Sequence, residues 1–82
     1  MDTKLKKRIV INPKVMVGKP IIKGTRITVE LILGLLAQGQ TIKQILENYP
    51  HLNKQDIYAA IEYAREILEE ETVYPLAGKV YA

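Results

Sequence analysis

Residues 41–61 constrain the fold most, because they encode two helix starts with a proline between them. Thr41 and Gln44 have the spacing of a capping box, in which each side chain satisfies a free amide at the start of a helix. Pro50 disfavours helical geometry at the residue before it, so this helix has to end there. Asn53 is a preferred residue for starting the next helix. The stretch therefore predicts a helix, a short turn and a second helix.

Apolar residues in both helices recur at the spacing of a single buried face. In the first of the two, these residues are Ile42, Ile45, Leu46 and Tyr49. In the second, they are Ile57, Ala60, Ile61, Ala64, Ile67 and Leu68. The two faces predict a shared core, and the second pattern predicts a helix that runs to about residue 70.

An earlier helix is predicted from Thr28, which suits the N-cap position, to Gly39, a residue type that commonly follows a helix end. Its apolar residues form two stripes, which consist of Val29, Ile32, Leu33 and Leu36 on one side and Leu31 and Leu35 on another. A helix that is apolar on two sides lies centrally in a fold or at a subunit interface.

Two short β-branched runs precede this helix, at residues 8–11 and 20–22. A two-stranded ribbon is marginal in water, so it has to pack on the helices or pair with a second copy. We therefore predict a mainly α fold, a three-helix, homeodomain-like helix-turn-helix bundle with a short N-terminal β-hairpin or ribbon. Residues 1–7 form a basic arm in this prediction, residues 8–71 the domain, and residues 72–82 an apolar tail.

The composition argues against several classes of function. Cysteine is absent, so disulfides and thiolate metal sites are excluded and the cytoplasm is the expected location. Serine is also absent and His51 is the single histidine, so the common nucleophile and base pairs cannot be assembled. We expect no enzyme activity, no cofactor and no metal site. No apolar run suits a signal peptide or a membrane helix, so no membrane contact is expected.

Charge is distributed unevenly along the chain. The first 30 residues carry eight basic side chains and two acidic ones, a net charge of +6, whereas the remainder carries four basic and seven acidic ones, a net charge of −3. A basic amino-terminal half is typical of a protein that binds a polyanion. Ordinary solvated charges explain the pattern equally well.

The predicted helix-turn-helix makes DNA the polyanion of interest, because the second helix of such a pair enters the major groove. The candidate nucleic-acid contacts are Asn53, Lys54, Gln55 and Tyr58 at the start of that helix, with Ala59 and Glu62 also facing outward, Lys43 and Gln44 in the helix before it, and Lys6, Lys7 and Arg8 in the arm. Amide side chains read adenine, and lysine binds guanine or phosphate.

The acidic character of the last predicted helix argues against this interpretation. Residues 53–71 carry two basic and six acidic side chains, so DNA could approach only the first two turns. The alternative hypothesis is a non-catalytic protein-interaction module that binds no nucleic acid.

Residues 18–27 form a second unusual cluster, with two glycines, three cations and a threonine around a turn. In one interpretation, Lys23 and Arg26 contact an anion or a partner protein. In the other, Gly24 has a positive φ and Arg26 supports the turn by satisfying carbonyls or a carboxylate. The phosphate-binding pattern GxxxxGK[ST] is absent.

The apolar tail and the size of the domain both predict partners. Short apolar segments often become ordered when they bind a protein, and the candidate partner-binding residues are Arg26, Val73, Tyr74, Leu76 and Tyr81. One small helix-turn-helix makes few DNA contacts, so we expect a homodimer that reads two half-sites about 34 Å apart.

Several of these segments together resemble the domain-of-unknown-function family numbered four hundred and thirty-three. The resemblance covers about residues 9–68, and the turns Gly24-Thr25-Arg26 and Tyr49-Pro50 make it specific. The segments that carry it are Ile11-Asn12-Pro13, Gly18-Lys19-Pro20, Gly24-Thr25-Arg26-Ile27, Ile45-Leu46, Tyr49-Pro50, Leu52 and residues 56–64. It implies a homeodomain-like helix-turn-helix fold with a small amino-terminal β element. It also implies a similarity to antitoxins encoded beside a ribonuclease-like toxin of the PIN type. The resemblance assigns no catalytic residues.

The leading hypothesis from the sequence is therefore a dimeric, DNA-binding antitoxin. It would repress its own operon through the helix-turn-helix and hold a PIN-like ribonuclease toxin through its tail.

Overall fold

The structure, a computed structural model, describes residues 3–70 as a helical bundle with a small amino-terminal sheet. Its elements are α1 (Thr3–Lys6), β1 (Ile9–Ile11), one 3-10 turn (Met16–Gly18), β2 (Pro20–Ile22), α2 (Val29–Ala37), α3 (Ile42–Asn48) and α4 (Lys54–Glu70). The predicted hairpin and three main helices are confirmed, whereas α1 is an element that the sequence did not predict. Residues 72–82, the predicted tail, lie outside the described residues.

Side-chain caps fix where α2 and α3 begin. The Thr28 hydroxyl accepts a hydrogen bond from the Leu31 amide at 3.0 Å. The predicted capping box is present at α3, because the Thr41 hydroxyl accepts from the Gln44 amide at 3.1 Å and the Gln44 side chain accepts from the Thr41 amide at 2.8 Å. Each bond satisfies an amide that has no partner within its own helix. These local bonds explain why the sequence located both helix starts correctly.

The amino-terminal sheet is an antiparallel hairpin that packs on the bundle. Ile9 pairs with Ile22, Val10 with Ile21, and Ile11 with Pro20. β1 contacts α4 and β2 contacts α2. Packing on the helices therefore buries the hairpin, whereas an isolated two-stranded sheet would stay exposed to water.

One core joins the hairpin to the three main helices. The largest fully buried side chains are Ile32 of α2, Ile45 of α3 and Ile57 of α4. Around them lie further buried residues, which are Ile22 of the hairpin, Ile27 and Leu52 of the turns, Val29 of α2 and Ala60 of α4. Residues 49–53 cross directly from α3 to α4, so Leu52 enters the core as the turn residue.

The predicted core face of α4 is wrong for three of its residues. Ile61, Ile67 and Leu68 are 41%, 38% and 71% exposed. At 1.5 Å per residue, the 17 residues of α4 extend for about 25 Å, and the nine of α2 for about 13 Å. α4 therefore projects beyond the helix that would cover its far end. Within residues 3–70, no helix has the length and apolar character needed to cross a membrane.

The prediction that Ala59 faces outward is also wrong, because Ala59 is fully buried. Both α1 and β1 contact α4, so α4 is covered on an additional side that the sequence did not predict. The segment expected to be a basic arm thus includes a helical turn that packs on the bundle.

Candidate nucleic-acid interface

An ion pair fixes the basic amino-terminal segment beside the first turn of α4. Arg8 Nη1 donates to Asp56 Oδ1 at 3.0 Å and reaches Asn53 Oδ1 at 3.4 Å. The Arg8 side chain is 35% exposed and that of Asp56 is 9% exposed. The sequence contains both residues but gives no signal that they meet, because 48 positions separate them.

Asp56 also completes a reciprocal cap at the start of α4. Its Oδ2 accepts from the Asn53 amide at 3.0 Å, while Asn53 Oδ1 accepts from the Asp56 amide at 3.1 Å. Asn53 therefore starts α4 as predicted. The Asp56 carboxylate uses one oxygen for the cap and the other for Arg8, so the cap and the ion pair depend on each other.

The Arg8 contact creates a surface that we call the basic face, defined by Lys6, Lys7, Arg8, Asn53, Lys54 and Gln55. The two arm lysines and residues 53–55 are all exposed. Lys7 adjoins Arg8 in the chain and Lys54 adjoins Asn53, so cations from both segments lie next to one contact. The amino end of a long helix also carries partial positive charge, which reinforces these side chains. The arrangement is suited to an anion.

The remaining candidate contacts, Tyr58, Lys43 and Gln44, are all exposed. Tyr58 is exposed one helical turn after Lys54. Lys43 and Gln44 are exposed on the first turn of α3. The Gln44 side-chain oxygen accepts from the Thr41 amide, so only its NH₂ group remains for a ligand. Arg8 likewise already donates one of its nitrogens, Nη1, to Asp56.

The far half of α4 has the opposite electrostatic character. Arg65 binds Glu62 through two nitrogens, at 2.6 and 2.7 Å, and Glu69 through a third at 2.7 Å. The hydrogen bond from Arg65 lowers the pKa of Glu62, and the same bond raises the pKa of Arg65. The Arg65 charge is thus already paired with carboxylates. A polyanion would be attracted to the start of α4 and not to its end.

The Gly24 turn is held by the Thr25 side chain. Gly24 has a φ of +82°, as predicted for a turn glycine. The Thr25 hydroxyl donates to the Ile22 carbonyl at 2.8 Å and accepts from the Ile27 amide at 2.9 Å. Arg26 is exposed and has no hydrogen-bond or ion-pair partner among residues 3–70. Within residues 3–70, the contacts therefore do not support the interpretation in which Arg26 satisfies carbonyls or a carboxylate.

An apolar groove lies between α2 and α4, and its α2 residues Val29 and Leu33 belong to the first of the two predicted apolar stripes. It has a volume of about 370 Å³, and its lining includes Leu33, Tyr63, Ile67 and Leu68. Its exposed leucine belongs to the part of α4 that the bundle leaves uncovered.

The described residues contain no cluster of three or more His, Asp or Glu side chains that could hold a metal ion. His51 is exposed in the turn between α3 and α4. The predicted partner-binding residues Val73, Tyr74, Leu76 and Tyr81 lie outside the described residues.

Comparison with known proteins identifies the family. A family model described as a protein of unknown function, DUF433, matches residues 9–64. The chain belongs to the DUF433 family. The predicted family resemblance is thereby confirmed.

Two relatives are similar to this chain over different shares of their own length. A crystal structure of a DUF433 member protein from Anabaena variabilis is similar with a TM-score of 0.73 at 36% identity, over 82% of this chain and 66% of that one. An uncharacterized protein, y4eO, of Sinorhizobium fredii is 32% identical over 53 residues. That match covers 65% of this chain, which spans only 24% of the relative's length.

Proposed function

We propose that this DUF433 protein binds double-stranded DNA through the basic face. The observation that carries the proposal is the contact of Arg8 with Asp56 and Asn53, because it brings the arm lysines beside the start of α4. The arm contributes Lys6 and Lys7, and the start of α4 contributes Lys54. Together they supply cations from two directions around one helix end, as helix-turn-helix proteins do when an arm and a recognition helix cooperate.

The DNA contact proposed for each residue follows from its side-chain chemistry. Lys6 and Lys7 neutralise phosphates, which gives affinity without sequence preference. Gln55 lies on the first turn of α4 and reads adenine through its amide, while Lys54 binds guanine or phosphate. Tyr58 donates to a phosphate from the second turn. The second half of α4 keeps a net negative charge after Arg65 has paired with Glu62 and Glu69, and this charge repels the duplex.

The experiment compares affinities for duplex DNA taken from upstream of the protein's own gene. Lys54→Ala should weaken binding to that duplex and to a scrambled duplex alike, and reduce the salt slope by about 0.9. Gln55→Ala should remove about 1–3 kcal/mol of preference for the native sequence and leave scrambled binding nearly unchanged. Lys14→Ala is the matched control, since Lys14 is exposed in the loop after β1. Equal losses of DNA affinity in Lys14→Ala and Lys54→Ala would contradict DNA binding through the basic face.

The fuller proposal is a homodimeric antitoxin that represses its own operon and holds a PIN-like ribonuclease toxin in the cytoplasm. It is supported by the family resemblance and by the size of the domain, which favours paired half-sites. The groove between α2 and α4 supplies apolar surface for the second copy, with Leu68 exposed at its edge. A monomer by light scattering at high concentration would contradict the paired-site arrangement, and a toxin complex that survives deletion of residues 72–82 would contradict the role of the tail.

A second candidate is a protein-interaction module that binds no nucleic acid and, like the first, has no enzyme activity. It is supported by the acidic second half of α4 and by the apolar groove beside it. The two candidates differ in one measurable way, since only the first binds duplex DNA, with an affinity that falls steeply as the salt concentration rises.

A further inference from the structure

A second, larger groove lies between the hairpin and the turn that joins α3 to α4. Its volume is about 630 Å³ and it is open to solvent along one side. Val10 and Ile27 contribute to its apolar surface, Arg26 lies on one side, and Tyr49 and His51 come from the distant turn. Two turns that are far apart in the chain therefore build one concave surface.

Arg26 is the charged side chain among the described residues that line this groove. It is exposed and has no polar partner among residues 3–70, and the described residues that line the groove include no carboxylate. The turn that carries it is nonetheless firmly held, by the two Thr25 hydroxyl bonds and by the Lys23 amide, which donates to the Arg8 carbonyl at 2.8 Å. A rigid turn that presents an unpaired guanidinium beside an apolar surface is suited to a carboxylate on an apolar ligand.

We propose that this groove binds a short extended segment of a partner protein, in which an Asp or Glu side chain pairs with Arg26 and a neighbouring apolar side chain covers Val10 and Ile27. The Asn12 carboxamide adds a donor, because its oxygen already accepts from the Lys14 amide and its NH₂ group remains for a backbone carbonyl of the segment. The proposal is independent of DNA binding by the basic face.

Charge and polarity select this occupant over two others. Duplex DNA needs several cations along its phosphates, whereas Lys6, Lys7 and Lys54 do not line the groove. The chain's own residues 72–82 include Lys79 and no Asp or Glu, so they cannot supply the acidic side chain of the proposed segment. An acidic and apolar segment of another protein satisfies both the cation and the apolar surface.

The test is selection from a displayed library of random ten-residue peptides with the purified full chain. We expect enrichment of peptides with Asp or Glu next to an aliphatic or aromatic residue. In ¹⁵N-resolved spectra, synthetic copies should shift the amide resonances of Gly24, Arg26 and His51. Arg26→Glu should weaken the binding of these peptides by at least about tenfold, because it places a negative charge next to their acidic side chain. Lys23→Glu is the matched control, since it makes the same charge change at an exposed neighbour outside the groove.

Four results would overturn the proposal. They are the absence of enriched peptides, enrichment without an acidic residue, equal losses for Arg26→Glu and Lys23→Glu, and resonance shifts confined to another surface. A duplex oligonucleotide or a peptide of residues 72–82 that shifted the groove resonances and displaced the selected peptides would assign the groove to that ligand instead. Lys54→Ala should lose DNA binding but should bind the selected peptides with unchanged affinity. Failure of the DNA-binding proposal can therefore be told apart from failure of the peptide-binding proposal.

Discussion

The pairing of Arg8 with Asp56 supports the basic face, and a double-mutant cycle measures its strength. Hydrogen bonds to charged groups contribute about 1.5–3 kcal/mol, and exposed ion pairs about 0.2–1 kcal/mol. The pair lies between these cases, because Asp56 is buried while the Arg8 side chain is 35% exposed at a separation of 3.0 Å. We therefore expect a coupling free energy of about 1 kcal/mol.

The single variants follow from the bonds that each one removes. Asp56→Ala loses the ion pair and the bond that caps the Asn53 amide, and a lost cap costs about 1 kcal/mol, so the free energy of unfolding should fall by about 2 kcal/mol. Arg8→Ala should cost about 1.5 kcal/mol, because it leaves a buried carboxylate oxygen without its partner. The double variant should then lose about 2.5 kcal/mol. For a domain of this size, Asp56→Ala should lower Tm by about 10 °C.

Urea unfolding followed by far-ultraviolet circular dichroism gives the four free energies that the cycle requires. The exposed pair of Lys19 and Glu30, at 2.9 Å, is the matched control and should couple by less than about 0.5 kcal/mol. A coupling for Arg8 and Asp56 no larger than that of the control pair would refute the claim that this contact holds the arm against α4.

Three further predictions test the core, the turn and the end of α4. Ile57→Ala should cost about 2–5 kcal/mol in urea unfolding and Leu68→Ala less than about 0.5 kcal/mol, and equal costs would contradict the assigned burial. Thr25→Val should cost about 1–3 kcal/mol by the same measurement, whereas Thr25→Ser should retain most stability; equal losses would exclude the hydroxyl bonds as the cause. Arg65 lowers the pKa of Glu62, so its stabilisation is present above the ordinary value of about 4.5 and is lost as the pH falls below it. Glu62→Gln should reduce the fall in the free energy of unfolding at low pH. A pH dependence of stability equal to that of the wild type would contradict the pairing of Glu62 with Arg65.

The parts of the fold that the sequence predicted correctly depend on neighbouring residues. The capping box at Thr41 and Gln44 closes within one helical turn, so its spacing alone locates the start of α3. Gly39 has a φ of +95°, a conformation that glycine adopts without strain, which is why the end of α2 was predictable. Pro50 ended α3 for an equally local reason.

The parts that could not be predicted depend on contacts between distant segments. A basic run such as residues 3–8 has no periodic apolar face, and nothing in it indicates that Arg8 reaches Asp56. The apolar pattern of α4 continues through Leu68, but periodicity does not reveal how far the neighbouring helix extends. Arg26 was predicted either to support its turn or to bind a ligand, and the sequence alone does not indicate whether its side chain has a partner within residues 3–70.

The most direct test of DNA binding is fluorescence anisotropy of the wild-type chain with its own upstream duplex and with a scrambled duplex, each at several salt concentrations. If Lys6, Lys7 and Lys54 each neutralise one phosphate, the affinity should fall with salt at a log-log slope of about −2.7 per chain, and the upstream duplex should bind more tightly. Absent binding, or equal binding to both duplexes without dependence on salt, would contradict the account.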